Sequence, residues 1–358
     1  MFNNIIRVHQ CLLLSVPYQW RKNKNMKQPK IIDLCKKVLR KNPDYNPTYH
    51  NRATSHTYDG DTHAALATYR AECKICFLNP GAFIYRGLLK AEAKDYQGAI
   101  INYNTTIAMN PTIAAAWFHR GVSKMKLHDG DGAIMDLNQA IKLDPQLTEA
   151  WFARGIAKAW FSSFDAIVDF DQVIALDPTY APAYLARGIE RACMKDYHGA
   201  IENYNKALFN DPQIPDVYYC SGTAKLALKD FQGATADLSK DIALNPKAGE
   251  AYYDRGVSKL GTHDYQGAIA DFSTVVAIYP SFYEAHTHLG TAKYKLGDYR
   301  GALTAFAKAI ELDPQFGKAY FGMALSKIAL GDNHSGYVDL GQAGELGFKT
   351  AYEILKEV

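Results

Sequence analysis

Apolar residues along this chain fall in short runs with helical spacing, and the runs are broken at regular intervals. The stretch Ala251 to Pro280, AYYDRGVSKLGTHDYQGAIADFSTVVAIYP, shows the unit. Tyr252, Val257 and Leu260 mark one apolar face, and Thr262, His263 and Asp264 interrupt it. A second run passes through Ala268, Phe272, Val275 and Val276 before Pro280 stops it. Asp264 stands where a helix N-cap belongs, because its carboxylate can accept from the free amides of a first turn. The spacing predicts two short helices joined by a tight turn.

The unit recurs. With Gly249 as position 1 of a 34-residue frame, position 8 is Gly87, Gly121, Gly155, Gly188, Gly222, Gly256 and Gly290. Position 20 is Ala65, Ala99, Ala133, Ala166, Ala200, Ala234, Ala268 and Ala302. Position 24 is aromatic or leucine, from Tyr103 to Leu340, and position 32 is proline from Pro111 to Pro314. Four columns held in one register exclude coincidence. Small residues at positions 8 and 20 let two helices approach closely. The ring at position 4 (Phe83, Trp117, Trp151, Tyr184, Tyr218, Tyr252, Tyr320) is expected to fill the space beside that crossing, together with position 24. The prolines cannot continue the second helix. No unit covers its own apolar face, so the units must stack.

Aromatic-x2-Arg-Gly, then Ala-x3-Phe, then Pro resembles the tetratricopeptide repeat, a helix–turn–helix with the signature W-x2-L-G-x2-Y, A-x3-F, P. The RG-x-x-K and DYQGAI-like stretches resemble arrays of bacterial type. Arg255 and Lys259 depart from the signature, which prefers Leu and Tyr there. The resemblance implies an all-α fold, a right-handed superhelical α-solenoid of stacked antiparallel helix pairs. The frame assigns 1–27 to a non-repeat segment expected to be disordered, and 28–45 to a leading cap helix. Nine repeats follow at 46–79, 80–113, 114–147, 148–180, 181–214, 215–248, 249–282, 283–316 and 317–350, and 351–358 ends the capping helix. The first repeat is degenerate, with Ala53 at position 8. The fourth is one residue short, in a turn where Ser162 or Ser163 can replace the capping aspartate. Glycine recurs at position 19, as in Gly98, Gly132 and Gly267, for no reason that the sequence itself supplies.

Formal net charge is +3, but Arg7, Arg21, Lys22 and Lys24 all lie ahead of the array, which is itself close to neutral. That argues against a nucleic-acid partner. The apolar run Cys11–Pro17 is too short to span a membrane, and no small-residue cleavage site follows it. A cytoplasmic location is expected, with Met26 a possible alternative start. Cys11, Cys35, Cys73, Cys76, Cys193 and Cys220 are scattered, and only Cys73 and Cys76 form a CxxC, one turn apart on a predicted helix. No disulfide framework emerges, so a reducing compartment fits. His286 and His288 are two residues apart, on different helix faces, and make no metal pair. There is no phosphate loop, no HExxH and no G-x-S-x-G. No enzymatic activity, cofactor or metal is expected.

Two sets of residues are candidates for more than packing. Position 7 is arginine where the signature prefers an apolar residue, and position 23 is often aspartate. Arg120 with Asp136, Arg154 with Asp169 and Arg255 with Asp271 are expected to form internal pairs that fix helix pairing. The repeat at 283–316 has Leu289 and Ala305 instead, so both members are absent together. The second set comes from the resemblance, which implies binding of protein or peptide segments along a wall of first helices, mainly at positions 2, 5, 9 and 12. Position 5 supplies Phe118, Phe152, Leu185, Tyr219, Tyr253 and Phe321, and position 9 supplies Val122, Ile156, Ile189 and Val257. These side chains suggest an apolar, aromatic concave groove for a hydrophobic segment. The alternative is a self-associating array whose groove is covered by another copy or by its own N-terminus. Oligomeric state is left open.

Overall fold

The computed structural model describes residues 80–161, 166–214 and 216–357. The expected segments 1–27, 28–45 and 46–79, and the turn with Ser162 and Ser163, lie outside these residues. All regular structure among the described residues is helical. It divides into two compact units, 80–194 with 209–212 and 195–208 with 213–357.

The first unit holds α1 (Pro80–Glu92), α2 (Tyr96–Met109), α3 (Ala114–Lys126), α4 (Gly130–Leu143), α5 (Thr148–Phe161), α6 (Ala166–Leu176) and α7 (Ala181–Cys193). The second holds most of α8 (Tyr197–Asn210), then α9 (Val217–Ala227), α10 (Phe231–Leu244), α11 (Gly249–Gly261) and α12 (Tyr265–Ile278). It continues through α13 (Tyr283–Leu296), α14 (Tyr299–Leu312), α15 (Gly317–Ala329), α16 (Asn333–Glu345) and α17 (Lys349–Glu357). Within each unit, helices consecutive in sequence pack together as pairs. The first helices of successive pairs also touch: α1, α3, α5 and α7 in one unit, and α9, α11, α13 and α15 in the other.

The turn inside each pair explains the glycine column. His263 takes a left-handed φ of 63° and ends α11, while the Asp264 amide donates back to the Lys259 carbonyl at 2.9 Å. The Asp264 carboxylate then caps α12 by accepting from Gly267 N–H at 2.9 Å. One residue thus closes the first helix with its backbone and opens the second with its side chain. Asp95, Asp129, Asp230 and Asp298 cap their helices in the same way. A Cβ on the donating glycine would intrude on the capping carboxylate, so glycine leaves the room the cap needs. The last pair has Ser335 there, with a longer 3.2 Å bond to Asp332.

Packing follows the small-residue columns. Gly256 rests against the Phe272 ring, where a Cβ would lie 2.8 Å from Cε1. Phe272 is wholly buried, which stabilises by about 1.5–3 kcal/mol. Each core cluster crosses a repeat boundary. Ala268 and Phe272 pack with Leu289, Ala292 and Ala305 of the following pair, and Ala234, Leu238 and Ile242 with Ala251. A single pair would leave half of each cluster in water, which is the physical reason that the units stack.

Candidate functional site

In the repeats at 114–147 and 148–180, positions 4 and 5 exchange the roles that the sequence suggests. Phe118 and Phe152 were expected on an open wall, yet they are only 6% and 4% exposed. Leu185, Ile156 and Ile189 are buried as well. Phe152 is gripped from two sides, by Phe170 of α6 at 5.8 Å and by Tyr180, the residue just ahead of α7, at 5.2 Å between ring centroids. Tyr253 repeats this with Phe272 at 5.9 Å and Phe282 at 5.0 Å, and Phe321 meets Phe348 at 4.6 Å. The residue that leads each chain segment into its next first helix therefore closes over the position 5 ring. Tyr219, Tyr253, Phe321, Val122 and Val257 remain half-buried.

Most position 4 rings, expected in the core, are straps at its edge, although Tyr184 is buried. Trp117 and Trp151 are half-buried, and each indole N–H donates to a proline carbonyl of the preceding turn, Pro111 at 2.8 Å and Pro145 at 3.0 Å. Tyr184 and His286 donate in the same way to Pro178 and Pro280. The ring faces carry the arginines: Arg120 lies 4.7 Å over Trp117, Arg154 4.7 Å over Trp151 and Arg255 5.4 Å over Tyr252.

Those guanidiniums are anchored on three sides. Arg255 makes two parallel bonds to Asp271, Nε to Oδ2 at 2.9 Å and Nη2 to Oδ1 at 2.6 Å. Its Nη1 reaches back to Ser239 on the preceding second helix at 3.1 Å. Lys259 adds a second cation to Asp271 at 2.9 Å. Arg120 does the same with Asp136, Asn104 and Lys124, and Arg154 with Asp169, Asn138 and Lys158. In each bracket both cations share one carboxylate, so neither is without an internal partner.

The groups that packing leaves available lie on the first helices of the second unit. Tyr219 of α9 donates its hydroxyl to Asp254 of α11, and burial holds the Asp254 carboxyl up at about 6 despite that bond. Burial, with Asp254 nearby, raises the Tyr219 hydroxyl, and burial with Glu284 raises Tyr253. His288 of α13 lies 5.6 Å from Tyr253 and stacks on Phe272 at 5.5 Å. Burial, aided by Lys318, lowers this imidazole to about 4, so it is neutral at pH 7. Its Nδ1 is buried and makes no hydrogen bond. Glu250 acts on Asp254, and Glu284 on Tyr253.

Sequence reasoning missed Asp254 and His288. Both occupy position 6, which reads Tyr85, His119, Ala153, Ala186, Cys220, Asp254, His288 and Gly322. A column without a preferred residue type, set among regular ones, is the signal that could have found them. Among the described residues no group of His, Cys, Asp and Glu could hold a metal ion, and no helix is long and apolar enough to cross a membrane.

A family model for the tetratricopeptide repeat matches residues 283–316. No curated protein matches the chain. Among solved structures, a tetratricopeptide repeat protein from Parabacteroides merdae is 18% identical with a TM-score of 0.51, covering 69% of this chain and 98% of its own. YrrB, a TPR protein with an unusual peptide-binding site, is 22% identical with a TM-score of 0.49, covering 51% of this chain and 95% of its own. MamA from Desulfovibrio magneticus is 22% identical with a TM-score of 0.45, covering 47% and 96%. The first of these likenesses shows a shared fold. Residues 283–316 match the family and the same frame of paired helices recurs along the described residues, so their fold is that of a tetratricopeptide repeat array.

Proposed function

We propose that the protein is a non-enzymatic scaffold that binds a protein segment along the row of first helices α9, α11, α13 and α15. One observation carries the reading: Asp254 and His288 lie on neighbouring first helices, half-buried, with a raised carboxyl on one and an Nδ1 that makes no hydrogen bond on the other. Partly desolvated acids and imidazoles of this kind mark binding sites more often than packing does. Asp254, with Glu250 and Glu284 along the same row, favours a basic or donor-rich side chain. Tyr219, Tyr253, Val257 and Phe321 supply apolar surface beside it. The segment is therefore of mixed character, an apolar anchor next to a cation or donor, more polar than the position 5 and 9 columns alone suggest.

The test uses the full chain as bait, compared with an Asp254→Asn, His288→Gln variant. The variant should melt close to wild type and bind the recovered partner at least about tenfold more weakly, a loss of about 1.4 kcal/mol. Equal affinity for both baits would refute the reading. Recovery of the chain itself, with a dimer mass by light scattering, would replace it with self-association.

A further inference from the structure

Among the described repeats, that at 283–316 lacks both the arginine and the aspartate of the bracket, and the place they would fill is a pocket. Leu289 of α13 stands at the arginine position and Ala305 of α14 at the aspartate position. Between α12, α13 and α14 this opens a groove of about 630 Å³. Val276, Leu289, Ala305 and Ala307 form apolar walls, and Lys293 lines the groove with them.

Lys293 is the remaining half of a bracket. In the five other repeats that keep the aspartate, the lysine holds it: Lys124 to Asp136 at 2.9 Å, Lys158 to Asp169 at 3.2 Å and Lys225 to Asp237 at 2.5 Å. Lys259 reaches Asp271 at 2.9 Å and Lys327 reaches Asp339 at 2.7 Å. Lys293 makes no ion pair among the described residues. The other charges at the groove are matched to each other, Lys308 to Glu311 at 2.7 Å, and the His286 Nε2–H is spent on Pro280. A lone ammonium therefore remains above apolar walls, at a place where five sister repeats each supply a carboxylate.

We propose that this pocket binds the carboxylate of an aspartate or glutamate side chain carried by a partner protein segment. In those five repeats the carboxylate arrives on a short side chain from a polypeptide, at 2.5–3.2 Å from the lysine. The groove is larger than a carboxylate alone needs, and its apolar walls suit the stem and neighbouring residues of a segment. A charge-assisted bond in a partly dry pocket discriminates strongly between an acid and its amide. The site shares no residue with the cluster of Tyr219, Tyr253, Asp254 and His288 and does not depend on it.

The experiment uses the full chain with ¹³C-labelled alanine methyls, so that Ala305 and Ala307 report on the pocket. N-acetyl-glutamate N-methylamide should shift these methyls saturably, at least about tenfold more tightly than its glutamine counterpart, about 1.4 kcal/mol. Lys293→Met should abolish the difference. Ala305→Asp rebuilds the internal partner, so it should raise Tm and block the probe. Asp254→Asn should leave the signal intact, which separates this site from the one above. Equal binding of the acid and the amide, survival of binding in Lys293→Met, or a lowered Tm for Ala305→Asp would overturn the proposal. Butyrate binding as tightly as the capped glutamate would also overturn it, by assigning the pocket to free carboxylates.

Discussion

At the residue scale, the repeat depends on side chains that act on two neighbours at once. Asp264 closes one helix and caps the next, and Gly267 gives its carboxylate space. Alanine at position 267 would gain about 0.5–1 kcal/mol of helix preference over glycine in a neutral setting. With Asp264 present that gain should vanish or reverse, because the Cβ displaces the cap. In an Asp264→Ala background the same change should stabilise. Thermal melts of the four proteins give the coupling, and an equal effect in both backgrounds would mean the glycine column has another cause. The ring positions make a second test. Phe152→Ala should cost about 3–5 kcal/mol as a fully buried aromatic. Trp151→Ala should cost less, since that ring is half exposed and loses mainly its bond to Pro145 and its contact with Arg154. Position 4 losing more stability than position 5 would restore the open-wall arrangement suggested by the sequence.

At the scale of the element, the arginine bracket ties three helices together. Arg255 sits on α11, Asp271 on α12 and Ser239 on α10, so one guanidinium spans a pair and its predecessor. The Asp271 side chain is 4% exposed and that of Arg255 17%. Asp271→Ala should strand a mostly buried cation pair, Arg255 and Lys259, at a cost approaching about 3–5 kcal/mol. Arg255→Leu combined with Asp271→Ala copies the repeat at 283–316 and should recover much of that loss. Chemical denaturation of the singles and the double is the measurement, and strictly additive losses would show that the two residues do not act as a pair. The pairing was legible from sequence because arginine and aspartate recur together and are both lost at Leu289 and Ala305, although Ser221 and Met323 stand opposite Asp237 and Asp339. The link to the preceding repeat was not, because Asn104, Asn138 and Ser239 share no chemistry that a column would reveal.

For the molecule as a whole, stability is a sum over neighbours. In the second unit, α11 to α14 have packed pairs on both sides, whereas α17 packs on α16 alone. Amide exchange should be slowest in α11–α14 and fastest in α17, following the free energy of local opening. Uniform protection from α11 to α17 would show instead that the unit opens as one cooperative body. The sequence by itself determined the 34-residue register, the two helices of each repeat and the capping aspartates, because these depend on spacing and on local chemistry along one chain. It also named the columns from which a binding wall would be drawn. Tertiary structure decided which neighbour in each column is accessible. Positions 4 and 5 lie about 100° apart on a helix, and both are aromatic, so periodicity cannot say which one the next repeat will cover. That choice is made by Tyr180, Phe282 and Phe348, which arrive from the following turn and close over position 5. Tertiary packing likewise buries Phe118 and Phe152, leaves Asp254 and His288 half-buried, and leaves a groove beside Lys293 where two side chains of the bracket are missing.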